Sequence, residues 1–127
     1  MTNILIVDDS PVMRAFIKRV LTVSGIPSGT PLEAGHGGEA LAILRAQQVD
    51  LVLSDINMPQ MNGEELMRAM QGDAALCGIP VVVVSTDARL DRVEQMMGLG
   101  ARRYITKPFT PERLRAELER VLEVSHV

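Results

Sequence analysis

The sequence predicts an α/β fold in which a parallel β-sheet is covered by helices on both faces. Short apolar runs bounded by turn residues alternate along the chain with longer stretches of helical period. One run, the four consecutive valines at 81–84, has no polar position, which suits a strand buried on both faces. Strands that alternate with helices predict parallel pairing, and 127 residues is the length of one domain, so we expect a single unit over residues 1–127.

The first strand and helix are predicted from an apolar run followed by helix-start residues. The strand covers residues 3–7 and ends at an acidic pair. Ser10 can cap the next helix because its hydroxyl accepts from a free N–H of the first turn. Pro11 fits that turn, since its missing N–H has no partner to lose. The apolar side chains expected to face inward from this helix are Met13, Phe16, Ile17, Val20 and Leu21.

The later elements follow from the same alternation, after a Gly- and Pro-containing loop over residues 24–31. Leu114, Leu118, Val121 and Leu122 lie on one face of the last helix, as packing on a sheet requires. Five strands and five helices result. Strands are predicted at 32–34, 51–53, 80–84 and 103–106, and helices at 38–47, 63–70, 88–99 and from the Thr110-Pro111 cap onward.

Charge and cysteine content disfavour several classes of protein. Thirteen basic and sixteen acidic residues give a net charge of -3, which argues against direct nucleic-acid binding through phosphates. Cys77 is the only cysteine, so an internal disulfide and a cysteine-rich zinc site are excluded, as suits the reducing cytoplasm. The apolar run 4–7 is far shorter than a signal sequence or a membrane span, so we expect neither export nor membrane insertion.

Polar side chains follow four of the predicted strands at the point where each strand ends. Asp8 and Asp9 follow the first strand, Asp55 the third, Ser85 the fourth and Lys107 the fifth. In an open parallel α/β sheet, ligands bind outside the carboxyl ends of the strands. We therefore expect these side chains to form one polar site.

The residue types of this site suit phosphoryl transfer. Carboxylates of Asp8, Asp9 and Asp55 would repel one another unless a cation compensates them, and all-oxygen ligands favour Mg²⁺. Lys107 adds a positive charge, and the Ser85 hydroxyl can donate to an anionic oxygen. A carboxylate nucleophile at Asp55 would then accept a phosphoryl group in line and form an acyl phosphate.

Each of these residues also has a simpler interpretation when taken alone. Asp8-Asp9 can open a helix, where the helix dipole favours acidic residues. Asp55 can begin a turn, Lys107 can be surface charge, and Ser85 can cap the next helix. Only the joint placement of all of them at strand ends favours a functional site.

Four segments resemble, in order across essentially the whole chain, the receiver domains of two-component response regulators: ILIVDDS, LVLSDINMPQMNGEEL, PVVVVSTD and YITKPF. Among them the chain is most similar to the single-domain, chemotaxis-type (CheY-like) regulators. The resemblance implies a flavodoxin-like (βα)5 fold, a doubly wound five-stranded parallel sheet with strand order 2-1-3-4-5.

The resemblance also implies a role for each residue of the site. Asp55 is the expected phosphoacceptor. Mg²⁺ is expected to bind Asp9, Asp55 and the backbone carbonyl of Asn57, with Asp8 acting mainly through water. Lys107 is expected to contact the phosphoryl group.

Residues beside the site are expected to control switching and the lifetime of the signal. Ser85 takes the switch position of the family, and Tyr104 takes the aromatic position that turns inward when the Ser85 hydroxyl moves toward the phosphate. Asn57 and Asp87 flank the path of a hydrolytic water, and Thr86 narrows access to the phosphoryl group. The Lys107-Pro108 bond corresponds to one that is typically cis in the family.

The function implied is that of a signalling switch, not of a turnover enzyme. A sensor histidine kinase supplies the phosphoryl group, and a surface made by helix 4, strand 5 and helix 5 controls a partner, such as the flagellar motor switch in chemotaxis. We expect a cytoplasmic monomer that binds neither nucleic acid nor membrane. The candidate partner contacts are Arg89, Arg92, Met96, Tyr104 and Arg115, although core filling is favoured for at least one residue of the pair Met96-Met97.

Other functions remain open at this point. The chain can be a phosphorelay intermediate that passes its phosphoryl group to a histidine phosphotransfer protein, or the excised receiver of a longer regulator. An aspartate-nucleophile phosphatase would require a DxD sequence after the first strand, and a nucleotide-binding module would require a glycine-rich loop there. This chain has Asp8-Asp9-Ser10 at that position, which disfavours both.

Overall fold

The computed structural model describes residues 2–26 and 29–125, which form five parallel strands and five helices. No helix in this described part of the chain combines the length and the apolar character needed to cross a membrane. The elements are β1 (Ile4–Val7), α1 (Pro11–Val23), β2 (Leu32–Ala34), α2 (Gly37–Ala46), β3 (Leu51–Ser54), α3 (Gly63–Gln71), β4 (Val81–Ser85), α4 (Leu90–Gly98), β5 (Arg103–Thr106) and α5 (Pro111–Ser125).

The strands pair in the order β2-β1-β3-β4-β5, and every pair is parallel. The predicted fold class and strand order are therefore confirmed. Val7 pairs with Ser54, so β1 and β3 end side by side. Ser85 pairs with Thr106, so β4 and β5 also end together. This register brings the residues that follow β1, β3 and β5 to one edge of the sheet.

Both faces of the sheet are buried, because side chains alternate along each strand and helices cover both sides. The valines of β4 show this alternation. Val81 and Val83 pack with the cluster that includes Leu41 of α2 and Leu66 of α3. Val82 and Val84 pack with the cluster formed by α1 and α5, which includes Leu118. Four consecutive valines therefore each lose their apolar surface to the core.

Local capping residues fix the starts of the helices near the site. The Ser10 hydroxyl accepts from the Met13 N–H at 3.2 Å and caps α1, as predicted. Asn62 and Glu65 form a reciprocal capping box at the start of α3, with bonds of 2.9 and 3.1 Å. These caps hold the first turns of α1 and α3 beside the strand ends.

Phe16 differs from its predicted position. The helical period predicts that its side chain faces inward, but Phe16 is 39% exposed, so this prediction is wrong. The buried stripe of α1 passes through Ile17, Val20 and Leu21, and Phe16 lies at its flank. There its ring packs against Phe109 with a centroid separation of 5.6 Å.

Candidate functional site

The site lies where β1, β3 and β5 end, and backbone hydrogen bonds beyond the strands fix its residues. The Asp8 N–H donates to the Ala34 carbonyl at 3.0 Å, and the Asp55 N–H donates to the Val7 carbonyl at 2.9 Å. The Lys107 N–H donates to the Ser85 carbonyl at 2.8 Å. The backbone hydrogen bonds of the sheet therefore extend one residue beyond the strands, to Asp8, Asp55 and Lys107, which carry the charges of the site.

The structure brings together the carboxylates of Asp8, Asp9 and Asp55. One oxygen of each lies within 4.8 Å of the others. Asp8 is buried, Asp55 is partly buried and Asp9 is exposed, so the group opens to solvent on one side. Three carboxylate oxygens form a set of the kind that hard divalent cations take, so these residues could hold a metal ion.

Lys107 is the counter-charge of this cluster. Its Nζ lies 2.9 Å from Asp8 Oδ2 and 3.2 Å from Asp55 Oδ2, and its side chain is 10% exposed. Burial alone would lower the pKa of Lys107, but its pairs with Asp8 and Asp55 raise that pKa above its ordinary value of 10.5. Lys107 is therefore positively charged at every pH at which the carboxylates titrate.

Asp55 is held by one bond to each of its oxygens. Oδ1 accepts from the Ile56 N–H at 2.7 Å, and Oδ2 accepts from Lys107. Burial raises the pKa of Asp55, and the Asp8 carboxylate raises it further, although Lys107 and the Ile56 N–H oppose the shift. The folded chain therefore holds a carboxylate whose charge is not fully compensated.

We expect Asp55→Asn to increase the free energy of unfolding by about 1 kcal/mol near neutral pH without metal. A carboxyl group whose folded pKa is raised contributes most stability when protonated, and that contribution is lost as pH rises through its folded pKa. The free energy of unfolding of Asp55→Asn should therefore exceed that of the wild type only as pH rises above this pKa. Urea unfolding from acid to neutral pH, with chelator present, measures it.

Glu94→Gln is the matched control for this change. It removes one negative charge from an exposed position on α4 that makes no ion pair with any described residue. An equal gain in Glu94→Gln, or a gain in Asp55→Asn that does not depend on pH, would contradict the expectation.

The loop between β4 and α4 connects Ser85 to Tyr104 through Asp87. Ser85 is fully buried, and its Oγ accepts from the Asp87 N–H at 3.1 Å. The Tyr104 hydroxyl donates to the Asp87 carbonyl, and burial raises the pKa of Tyr104. Arg89 binds the Asp87 carboxylate and lowers its pKa to about 2. A movement of Ser85 would therefore act on the backbone group that holds Tyr104.

The remaining candidate residues lie at the rim of the site or on the α4–β5–α5 surface. Asn57 and Thr86 are both exposed, in the loops that follow β3 and β4. Arg92 is largely buried by its pair with Glu64 of α3, at 2.9 Å, so it links α4 to α3. Arg89 and Arg115 are exposed.

Met96 is not a surface contact, and that prediction is wrong. Its side chain is 1% exposed and packs in the core below β4, whereas the next residue, Met97, is 41% exposed. One residue turns a helix by roughly 100° (3.6 residues per turn), so only one of two adjacent methionines can face the sheet. Met97 is the methionine that α4 presents to solvent.

Two residues near the site were missed by sequence reasoning. The Arg14 guanidinium donates to the Asp8 carbonyl at 2.5 Å and pairs with Glu33 of β2 at 3.0 Å. Gly37 donates its N–H to the Met61 carbonyl at 2.8 Å, and a Cβ there would lie 2.6 Å from the Met61 side chain. The Arg14–Glu33 pair and the Gly37–Met61 bond join segments distant in sequence, so no local pattern indicates them.

The Lys107-Pro108 peptide bond is cis, as the resemblance implied. It directly follows the lysine that binds both Asp8 and Asp55.

Comparisons with known proteins match nearly the whole chain. The family model described as "Response regulator receiver domain" matches residues 4–119. The chemotaxis protein CheY of Pseudomonas aeruginosa is 37% identical over 121 residues, which cover 95% of this chain and 96% of that protein. A CheY homolog of Campylobacter jejuni is 39% identical over 121 residues, which cover 94% of this chain and 92% of that protein.

Solved structures give the same result. The chemotaxis protein CheY4 of Vibrio cholerae superimposes with a TM-score of 0.84 at 31% identity, covering 95% of this chain and 98% of that one. The family match over residues 4–119 includes every charged and hydroxyl residue of the site described above.

Proposed function

This chain belongs to the response regulator receiver family, and on that premise we propose that it is a phosphorylation switch whose phosphoacceptor is Asp55. A phosphohistidine of a sensor kinase supplies the phosphoryl group in a Mg²⁺-dependent reaction. The switched surface, made by α4, β5 and α5, then controls a partner protein. Because its curated relatives are chemotaxis proteins, we place the partner in a chemotaxis pathway of the cytoplasm.

The observation that carries the proposal is the bridge made by Lys107. Its ammonium group binds Asp8 and Asp55 at the same time, at 2.9 and 3.2 Å. A lysine in this position can neutralise phosphoryl oxygens on Asp55 while remaining tied to the acidic pair. The carboxylate of an ordinary surface ion pair is exposed to solvent. Here both carboxylates lie at strand ends, and the Asp8 side chain is only 3% exposed.

The transfer balances without any further reactant. An oxygen of Asp55 forms a bond to phosphorus as the bond between phosphorus and the imidazole nitrogen of the donor breaks. That nitrogen keeps the electron pair, and a proton on the other ring nitrogen lets the donor leave as neutral imidazole. Asp8, Asp9, Asp55 and the backbone carbonyl of Asn57 would hold Mg²⁺, which would neutralise charge on the phosphoryl oxygens.

The switch follows from the added charge. A phosphoryl group brings up to about two negative charges and new acceptor oxygens to Asp55. We expect Ser85 to move toward one of these oxygens and donate to it, which would draw its Oγ away from the Asp87 N–H that it now accepts from at 3.1 Å. Tyr104, bound to the same residue's carbonyl, adjusts with it. The α4–β5–α5 surface thus shifts between two populations.

Residues around Asp55 would set the rate of entry and loss of the phosphoryl group. Thr86, which is exposed in the loop after β4, would narrow access to the phosphoryl group and slow transfer from small donors. Asn57 and Asp87 would position the hydrolytic water, although the Asp87 carboxylate is now bound by Arg89 at 2.7 Å.

The test is the intact mass of the protein after incubation with acetyl phosphate and Mg²⁺. We expect a gain of one phosphoryl group in the wild type, and no gain in Asp55→Asn or with chelator. Asp50→Asn, which removes an aspartate at the opposite end of β3, should behave as the wild type. A gain that survives in Asp55→Asn would overturn the assignment of the phosphoacceptor.

A small donor does not engage the docking surface of a kinase, so a second donor is needed. A purified histidine kinase autophosphorylated on its own histidine, offered in the same assay, supplies it. If neither donor adds mass to the wild type with Mg²⁺ present, the proposed function is wrong.

A further inference from the structure

A pocket lined by arginines lies at the end of the sheet opposite to Asp55. It has a volume of 160 Å³, and it is distinct from the acidic site because it shares no residue with it. Its lining residues are Arg102, Arg103, Arg120 and Val121.

The topology fixes the position of this pocket. The Arg102 N–H donates to the Val81 carbonyl at 2.8 Å, so Arg102 lies beside the first residue of β4. Arg103 begins β5, whereas Lys107 follows its end. At about 3.3 Å per residue, roughly 13 Å of strand separates these two residues. The pocket is therefore too far from Asp55 to be part of the phosphoacceptor site.

Two of the three guanidinium groups have no counter-charge. Arg103 Nε lies 3.3 Å from Glu117 Oε2, and the other oxygen of Glu117 is 3.6 Å from Arg113. Arg102 and Arg120 make no ion pair and no side-chain hydrogen bond with any residue whose side chain the structure describes, which covers 2–26 and 29–122. A positive pocket thus occurs in a chain whose net charge is -3.

We propose that this pocket binds a single tetrahedral oxyanion of the phosphate class. Each guanidinium presents a planar fork of N–H donors that matches two oxygens of such an ion. Arg103 at the start of β5, Arg102 before it and Arg120 of α5 together carry more N–H donors than the two oxygens of a carboxylate can use, whereas a phosphate group has up to four oxygens. The pocket, of about 160 Å³, is open to solvent and has room for an ion of this size.

This inference goes beyond the proposed function, because the pocket needs neither Asp55 nor a metal ion. The alternative is that the three arginines are solvated surface charge. That alternative predicts only weak, non-saturating effects of anions that depend on ionic strength alone.

The experiment is a titration followed by two-dimensional amide NMR spectra, with chelator present. Inorganic phosphate is added in one arm, phosphoserine in a second, and sodium chloride at matched ionic strength in a third. We expect saturable shifts at the amides of Arg102, Arg103 and Val121 with phosphate and not with chloride. Shifts with phosphoserine as well would show that the pocket accepts a phosphate group on a larger molecule, and their absence would restrict it to the free ion; both results keep the pocket as an oxyanion site.

Three variants identify the binding residues. Arg102→Ala and Arg120→Ala should each weaken phosphate binding by about tenfold, as expected for loss of a charge-assisted hydrogen bond. Arg19→Ala is the matched control, because it removes the same charge from an exposed position on α1 that does not line the pocket. Equal loss in all three variants, shifts that mirror those with chloride, or shifts centred on Lys107 would overturn the proposal.

Discussion

Gly63→Ala is expected to destabilise the protein by about 3 kcal/mol, which lowers the melting temperature by about 10 °C for a domain of this size. Gly63 begins α3, and its N–H donates to the Ile56 carbonyl at 2.8 Å. A Cβ at this position would lie 2.8 Å from the Ile56 Cα and in closer overlap with the Asp55 carbonyl oxygen. Both neighbours are backbone atoms, so the clash is relieved only by moving α3 away from β3.

The same displacement should disturb the phosphoacceptor, because the overlapping carbonyl belongs to Asp55 itself. We expect phosphorylation by acetyl phosphate to fall in Gly63→Ala even at temperatures where the variant is folded. Thermal unfolding and the mass assay measure the two effects separately.

Gly98→Ala is the matched control, since Gly98 ends α4 and a Cβ there meets no atom within 4 Å. Alanine has the higher helix propensity, so this variant should be as stable as the wild type or more stable by up to about 1 kcal/mol. Equal melting temperatures for Gly63→Ala and the wild type would show that α3 adjusts at little cost.

Much of this fold could be predicted because its local patterns agree with its tertiary structure. The apolar runs of β1, β3 and β4 form strands in which every residue is buried, because helices cover both faces of the sheet, and a polar residue follows each of these strands. Asp8, Asp55 and Lys107 were therefore placed at one edge from the alternation of elements alone. The neighbouring order of the strands required the resemblance, because periodicity does not say which strands pair.

The sequence does not predict a side chain's position where a shift of one residue, or a contact with a distant segment, decides whether that side chain is buried or exposed. Met96 and Met97 have the same side chain, and only the packing of α4 on the sheet selects Met96 for the core. His36 lies between glycines, and its Nδ1 accepts from the N–H groups of Gly38 and Glu39 and caps α2. Histidine is not among the preferred capping residues, so propensity gave no indication of it.

Lys107→Met is expected to destabilise the metal-free protein by about 3 kcal/mol near neutral pH. The substitution keeps the apolar stem but leaves the carboxylates of Asp8 and Asp55 without their shared cation, and their side chains are only 3% and 12% exposed. In the wild type the pKa of Lys107 is raised above 10.5, so the charged side chain stabilises the folded protein throughout the acid and neutral range. This stabilisation is lost only when pH rises through the raised pKa. In the variant the deficit should shrink toward acid pH, because protonation removes the charges that Lys107 had compensated.

Lys18→Met provides the matched control, because Lys18 also binds a carboxylate, Glu33, at 3.0 Å, but with both side chains about one-third exposed. An exposed pair contributes about 0–1 kcal/mol, so this variant should stay close to the wild type at every pH. Urea unfolding of both variants across the acid range compares the two pairs directly, and Mg²⁺ should restore part of the stability of Lys107→Met by binding the uncompensated carboxylates. Equal small losses in both variants would mean that solvent already screens the acidic cluster, and Lys107 would then hold Asp55 in place without stabilising the fold.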